Sequence, residues 1–434
     1  MSSPLTAVIV GAGHRAMVYA SYAQQHPDML KIVGVADPIE GRRQLAAQTF
    51  GLTADQCFAS ADDLARRGKI ADAVINGTMD ADHVPTSLPL LAAGYDMLLE
   101  KPFAVTEEEV HQLAAAARRH NRRVMICHVL RYAPFYYSIR QRLTAGEIGE
   151  LINVQTNEHV SYHHMGVAYI RGKWRRKDLC GSPILMAKCC HDLDLIMWMK
   201  SGVRPTRVGS FGSLMYFRAD KAPKHAGTQC LVDCPIEKDC EYSARKNYLD
   251  HPRRWRFYVW AGLEHIAEPT DAQREAYLKQ PDTIFGRCVW KCDNDVVDHQ
   301  SVAIEFADGA TATHNLVCGT ARPLRSIYLL GTHGEIQGTM EDSKFTIRHA
   351  DPRPGTSGYT EEVVDLKIGG DMTGAFGGHG GGDMRLVEDW VHALMGRKPS
   401  IACTTIDDSL NGHLVCFAAD QAMTERRVVN VSPA

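Results

Sequence analysis

Three short clusters combine residue types and spacings suited to chemistry. The first is Gly11-Ala12-Gly13-His14-Arg15-Ala16, which follows the apolar run Ala7-Val8-Ile9-Val10, while Asp37 closes a second apolar run, Lys31–Ala36. A G-x-G-x-x-A turn between a strand and a helix, with an acidic residue about twenty positions on, is the pattern that cradles a dinucleotide. Gly11 permits the tight turn, Gly13 lets backbone approach a pyrophosphate, and Ala16 lets the helix pack close to the strand. His14 and Arg15 open the helix, whose free N–H groups would meet the phosphates. Asp37 would accept hydrogen bonds from ribose hydroxyls. A 2′-phosphate beside it would bring two anions together, so the pattern predicts NAD rather than NADP, although Arg42 and Arg43 could offset that repulsion.

The second cluster is split between Thr78-Met79-Asp80-Ala81-Asp82-His83 and Glu100-Lys101-Pro102, each following an apolar run. Both would sit at the carboxyl ends of strands. Charges at a buried edge need partners, and Lys101 could exchange a proton with a substrate hydroxyl. The plainer alternative is a solvated loop lysine. The third cluster is Lys188, His191 and Asp194, at three-residue intervals that share one face of a helix. Asp194 could orient His191 or set its tautomer. A satisfied core histidine and a snorkelling lysine are the alternative.

The elements that must position these groups follow from periodicity. Strands are predicted at Ala7–Val10, Ile32–Ala36, Ala73–Asn76, Met97–Glu100 and Val124–His128, with helices between them such as Glu107–His120. This alternation predicts an α/β fold with a doubly wound parallel sheet, its strand carboxyl ends on one ligand-facing edge. After about residue 150 the rhythm becomes that of hairpins: Ser301–Phe306 with Ala310–Val317 around Asp308-Gly309, and Ile327–Leu330 with Glu335–Gly338. Leu151–Tyr162 reads as a half-exposed strand. The second half is therefore predicted as an α+β domain with a large, mostly antiparallel open sheet, covered by a helix near Pro183–Lys200, with a later helix at about Asp383–Met395. The expected division is residues 1–130 and 131–434. Residues 216–292 read as an irregular decoration, and Gly377–Gly382 as a mobile loop or the start of a helix.

Composition narrows the class. At 434 residues and 45% hydrophobic, the chain is long enough for two cores. A net charge of −3 provides no basic field for nucleic acid. No apolar run approaches the roughly 18 residues that would cross a membrane. The first residues lack the basic and cleavage features of a signal peptide, so a cytoplasmic location is expected. Thirteen cysteines, an odd number, fit a reducing compartment rather than a disulfide scaffold.

The order and spacing of Gly11–Ala16, Thr78–His83, Glu100-Lys101-Pro102 and His191-Asp192-Leu193-Asp194 resemble the Gfo/Idh/MocA family, named for glucose–fructose oxidoreductase, inositol dehydrogenase and a rhizopine-catabolism protein. The resemblance implies an N-terminal Rossmann domain holding NAD or NADP. It also implies a C-terminal open sheet that covers the nicotinamide and often joins subunits, here as a homodimer or homotetramer. The role of the lysine beside nicotinamide and substrate would fall on Lys101. The implied activity is hydride transfer between nicotinamide and a secondary alcohol of a sugar, cyclitol or glycoside. A redox-neutral, NAD-dependent glycoside cleavage and a non-catalytic NAD-binding sensor are the alternatives. The family's second signature usually reads Asp-x-Gly-x-His-x-x-Asp. Here Ala187 and Cys189 replace its aspartate and glycine, so Lys188 could supply the missing polar group beside His191.

Trp174-Arg175 resembles the family's Trp-Arg segment, with Trp174 stacking near the nicotinamide and Arg175 meeting a pyrophosphate or sugar oxygen; a basic loop with one core tryptophan is the alternative. His163-His164 could bind a sugar hydroxyl, but an exposed pair is the expected state. Cys230, Cys234 and Cys240, with Cys288 or Cys292, could hold a structural zinc, but the spacing is not a standard knuckle. Free buried thiols are the expected state, and no metal is assigned to the active site.

Overall fold

The structure is a computed structural model that describes residues 3–251, 256–264, 266, 268–366 and 378–433. The apolar runs of the first third form β1 (Leu5–Val10), β2 (Leu30–Ala36), β3 (Cys57–Phe58), β4 (Ala73–Asn76), β5 (Asp96–Leu99) and β6 (Val124–Ile126). Among the described residues they make a six-stranded sheet in the order β3-β2-β1-β4-β5-β6, and all its pairs are parallel. Val10 lies opposite Ala36 on one side and Asn76 on the other. That register brings Gly11, Asp37 and Gly77 out on the same edge, where a doubly wound sheet binds its ligand.

The second sheet contains β7 (Leu151–Ser161), β8 (Pro205–Ser213), β9 (His299–Phe306), β10 (Thr311–Thr320), β11 (Leu324–Gly331), β12 (Glu335–Thr339), β13 (Lys344–Ala350), β14 (Tyr359–Asp365) and β15 (Val429–Asn430). Its order is β14-β13-β12-β11-β7-β10-β9-β8-β15. Both predicted hairpins are present, as β9–β10 and β11–β12. The sheet is antiparallel except at β7–β10, so the expectation of a mostly antiparallel sheet holds.

The helix Ile184–Met199 is apolar around nearly its whole circumference, and every residue in it is buried except Lys188. Such a helix must be enclosed on all sides. The helix Ile406–Glu425 packs against it and returns the chain to the first sheet, where Ile126 N–H donates to Thr404 O at 2.8 Å. From Gly378 the predicted Gly377–Gly382 loop is already the start of a helix, Gly378–Leu394, while Gly377 lies outside the described residues. Among the described residues, 216–292 consist mainly of short turns and helical segments of at most eight residues, such as Asp271–Leu278, as an irregular decoration would.

Candidate active site

A cleft of about 350 Å³ runs along the edge of the first sheet and is closed by residues from the second half. Gly11 and Gly13 line it. Gly11 has φ +75°, and a Cβ there would come within 2.7 Å of Thr78 N, so the turn itself requires glycine. A Cβ on Gly13 would meet nothing within 4 Å, which leaves the backbone open to an approaching phosphate. Ala16 does not line the cleft; its Cβ would sit 2.8 Å from a Cβ on Gly77, the close helix–strand packing that its small size allows. Asp37 is buried at the end of β2. It accepts from Ala12 N at 2.7 Å and Ile39 N at 2.8 Å, one bond per oxygen, which leaves lone pairs for ribose hydroxyls. These features fit an NAD-type dinucleotide.

Beyond the turn, His14, Thr78 and His83 also line the cleft. Thr78 is braced by Asn76, and His83 Nδ1 lies 2.6 Å from Pro102 O. Glu100 is buried and fully engaged: it takes Arg15 Nε at 3.0 Å, Tyr19 OH at 2.7 Å and Lys101 N at 2.7 Å. Burial works to raise its carboxyl, but the Arg15 and Lys101 charges outweigh that and hold it below the ordinary range. Arg15 also pairs with Asp383 of the helix Gly378–Leu394. With its backbone fixed this way, Lys101 extends across the cleft, and its Nζ donates to Ala187 O at 3.2 Å.

That contact joins Lys101 to the helix carrying Lys188 and His191, and all three line the cleft. Lys188 Nζ lies 3.0 Å from the buried Glu158 Oε1. His191 is buried, edge-on to His128 with ring centroids 5.8 Å apart. Asp194 does not serve His191. Its carboxylate is bound by Arg131, with Nε at 2.7 Å, and so it fastens the helix to the segment after β6. The expectation that Asp194 orients His191 is thereby corrected: a nearby guanidinium outcompetes an imidazole for a buried carboxylate. Cys189 and Cys190 are packed in the core.

Trp174 lines the cleft, donates Nε1–H to Asp80 at 3.0 Å and meets Tyr258 edge-on at 5.5 Å. Arg175 does not line it, because its guanidinium pairs with Asp293 at 2.9 Å. The histidine pair is not exposed as expected: His164 is buried, lines the cleft, and is held well below the ordinary imidazole range by burial and then by the Lys188 charge.

The possible zinc site at the cysteine cluster is not supported. The buried Arg171 guanidinium occupies the cysteine cluster and donates to Cys230 Sγ at 3.3 Å. Burial pushes the Cys240 thiol up to about 11 and that of Cys292 up to about 12. Among the described residues, the only potential metal-ligating trio whose ligand atoms lie within 4.8 Å of one another is Cys189, Asp192 and His314, not the predicted cluster. There too a cation is in place, with Arg325 Nε 3.2 Å from Asp192.

Sequence reasoning missed Tyr169, Lys173, Tyr258 and Arg325 on the cleft wall, and Asp383 behind Arg15. Tyr258 comes from the irregular segment and Arg325 from a hairpin strand, so neither falls in a local pattern that marks a site.

The comparisons agree with this layout. A family model described as an oxidoreductase family with an NAD-binding Rossmann fold matches residues 5–128, and one for its C-terminal alpha/beta domain matches residues 140–223. The Bacillus subtilis (strain 168) protein YteT, named as an oxidoreductase, is 25% identical over 342 residues, which is 78% of this chain and 75% of that protein. D-glucoside 3-dehydrogenase of Escherichia coli K12 is 29% identical over 199 residues, 46% of this chain and 54% of its own length. The chain thus spans only about half of that dehydrogenase. A levoglucosan dehydrogenase solved in complex with NADH superposes over 100% of both chains with a TM-score of 0.70 at 15% identity, a likeness of fold. With its glycine turn, its Glu100-Lys101 edge and its open second sheet, the chain belongs to the Gfo/Idh/MocA family of oxidoreductases.

Proposed function

We propose that the chain is an NAD-dependent dehydrogenase acting on a secondary alcohol of a sugar, cyclitol or glycoside. One observation carries the reading: a single cleft is lined by the glycine turn and Asp37 and also by Lys101, Lys188 and His191. Gly13 and Asp37 would hold the dinucleotide, which supplies the hydride acceptor when bound. Arg42 is already engaged by Glu264 at 3.1 Å, and Arg43 donates to Asp37 O, which favours NAD over its 2′-phosphorylated form. Lys101 Nζ, steadied by Ala187 O, takes the hydroxyl proton as the neutral amine and becomes the ammonium. His191 hydrogen-bonds the same oxygen, and Lys188 orients its neighbours. Trp174 and Tyr258 exclude water.

The test is Lys101→Ala in the full chain with saturating NAD. Turnover should fall by about 100-fold or more, while the Kd for NAD changes less than about threefold. Equal losses in both would remove Lys101 from the chemical step. Release of a leaving group without net NADH would replace the dehydrogenase reading with redox-neutral glycoside cleavage.

A further inference from the structure

The two walls of the cleft differ in chemistry. Its lining carboxylates, Asp37, Asp80, Asp82 and Glu100, all belong to the first third of the chain. The lining from the second half contains three cations, Lys173, Lys188 and Arg325, and no carboxylate among the described residues. Beside Lys188 in the chain stands the methyl group of Ala187, and the acceptor that Lys188 meets is the buried Glu158.

Arg325 lies directly opposite Glu158 in the β11–β7 pairing. Its Nε approaches Glu158 at 2.6 Å and Asp192 at 3.2 Å, and both carboxylates are buried. Its two terminal nitrogens donate to no protein group among the described residues, and the side chain is 11% exposed where it meets the cleft. The other oxygen of Glu158 takes Lys188 at 3.0 Å. One buried carboxylate thus contacts both cations and Asp192 accepts from Arg325 Nε, while the terminal nitrogens of Arg325 meet no protein acceptor among the described residues.

A sugar hydroxyl both donates and accepts, whereas a carboxylate only accepts. The two terminal nitrogens of Arg325, free among the described residues, suit the carboxylate, because the planar fork of arginine matches its two oxygens. We infer that Arg325 and Lys188 form a carboxylate subsite, and that the substrate is a sugar acid of the uronate class. The inference deepens the dehydrogenase reading and rests on it for the identity of the cleft. Glu158 and Asp192 keep the two cations compensated when the subsite is empty, so the fold tolerates them.

The experiment is calorimetry on the full chain with saturating NAD, using D-glucuronate and D-galacturonate against D-glucose, D-galactose and myo-inositol, with D-gluconate as an open-chain acid. The uronates should bind at least about tenfold more tightly than the neutral compounds, the range of a charge-assisted hydrogen bond. Arg325→Gln should abolish that preference. Should that variant fail to fold, Lys188→Gln should reduce the preference by about tenfold. Gluconate binding as tightly as the uronates would keep the carboxylate subsite and overturn the uronate class. Uronates bound no better than neutral sugars, or not bound at all, overturn the subsite, even if a neutral sugar yields NADH. Preferential uronate binding without NADH from any compound would leave the subsite standing and instead remove the dehydrogenase reading.

Discussion

At the scale of single residues, the two glycines of the turn do different work, and their variants should separate. Gly11 sits at positive φ with Thr78 backbone pressed against it. Gly11→Ala should therefore destabilise the fold by about 1–3 kcal/mol, read as a lower urea midpoint. Gly13 faces open space. Gly13→Val should leave stability within about 0.5 kcal/mol, yet weaken NAD binding at least about tenfold, because its side chain would fill the room a pyrophosphate needs. Tight NAD binding by Gly13→Val would show that the dinucleotide does not cross this turn. The same distinction between holding the fold and facing the ligand separates Glu100 from Lys101. Glu100 spends its oxygens on Arg15, Tyr19 and the Lys101 backbone, whereas the Lys101 side chain reaches across to the neighbouring helix.

At the scale of elements, the helix Gly378–Leu394 reaches the site through one carboxylate. Asp383 is buried and shares the Arg15 guanidinium with Glu100. Removing it as Asp383→Ala should cost about 2–4 kcal/mol, since a mostly buried cation loses half of its compensation. Denaturant titration would read this, and a change under about 0.5 kcal/mol would mean that water already satisfies Arg15. Asp383 also shows where sequence reading ends. β1, β2 and β4 are legible because each is an apolar run that ends on a glycine, an acid or a polar residue at the ligand edge. The hairpin around Asp308-Gly309 is legible from its turn chemistry. β3 is two residues long and has no period to read. Asp194 belongs to Arg131, 63 residues earlier, and Arg325 meets Glu158 only because β11 pairs with β7. Such partners are chosen by tertiary register, so local spacing marks Lys188, His191 and Asp194 as neighbours without saying which of them serves the cleft.

At the scale of the whole molecule, burial biases four interior histidines toward their neutral form. Burial, aided by the Arg131 charge at His128, by Lys188 at His164 and by His128 at His413, pushes all three imidazoles well below their ordinary range. Burial likewise pushes His314 down to about 4, although Glu158 pulls the other way. In the unfolded chain each of these groups takes up its proton near pH 6.5. Below that pH the unfolded state binds more protons than the folded one, so stability is complete above about pH 6.5 and falls as the pH drops. Each histidine that stays neutral in the fold removes about 2 kcal/mol between pH 7 and pH 5. Asp192, Asp194 and Glu341 oppose this, because burial raises their carboxyls and lets the folded state take protons early. The histidines are lowered around their ordinary value near pH 6.5, inside the pH 7 to 5 window, whereas the carboxyls are raised from values near 4, and Glu100, held low by Arg15 and Lys101, adds a loss at more acidic pH. The urea midpoint should therefore be lower at pH 5 than at pH 7, and His314→Gln should narrow the gap by about the contribution of one histidine, about 2 kcal/mol. Equal midpoints at the two pH values, with His314→Gln leaving them unchanged, would mean that the interior histidines carry protons in the folded state, and the packing of His128 between His191 and His413 would then need a counter-charge beyond Asp194.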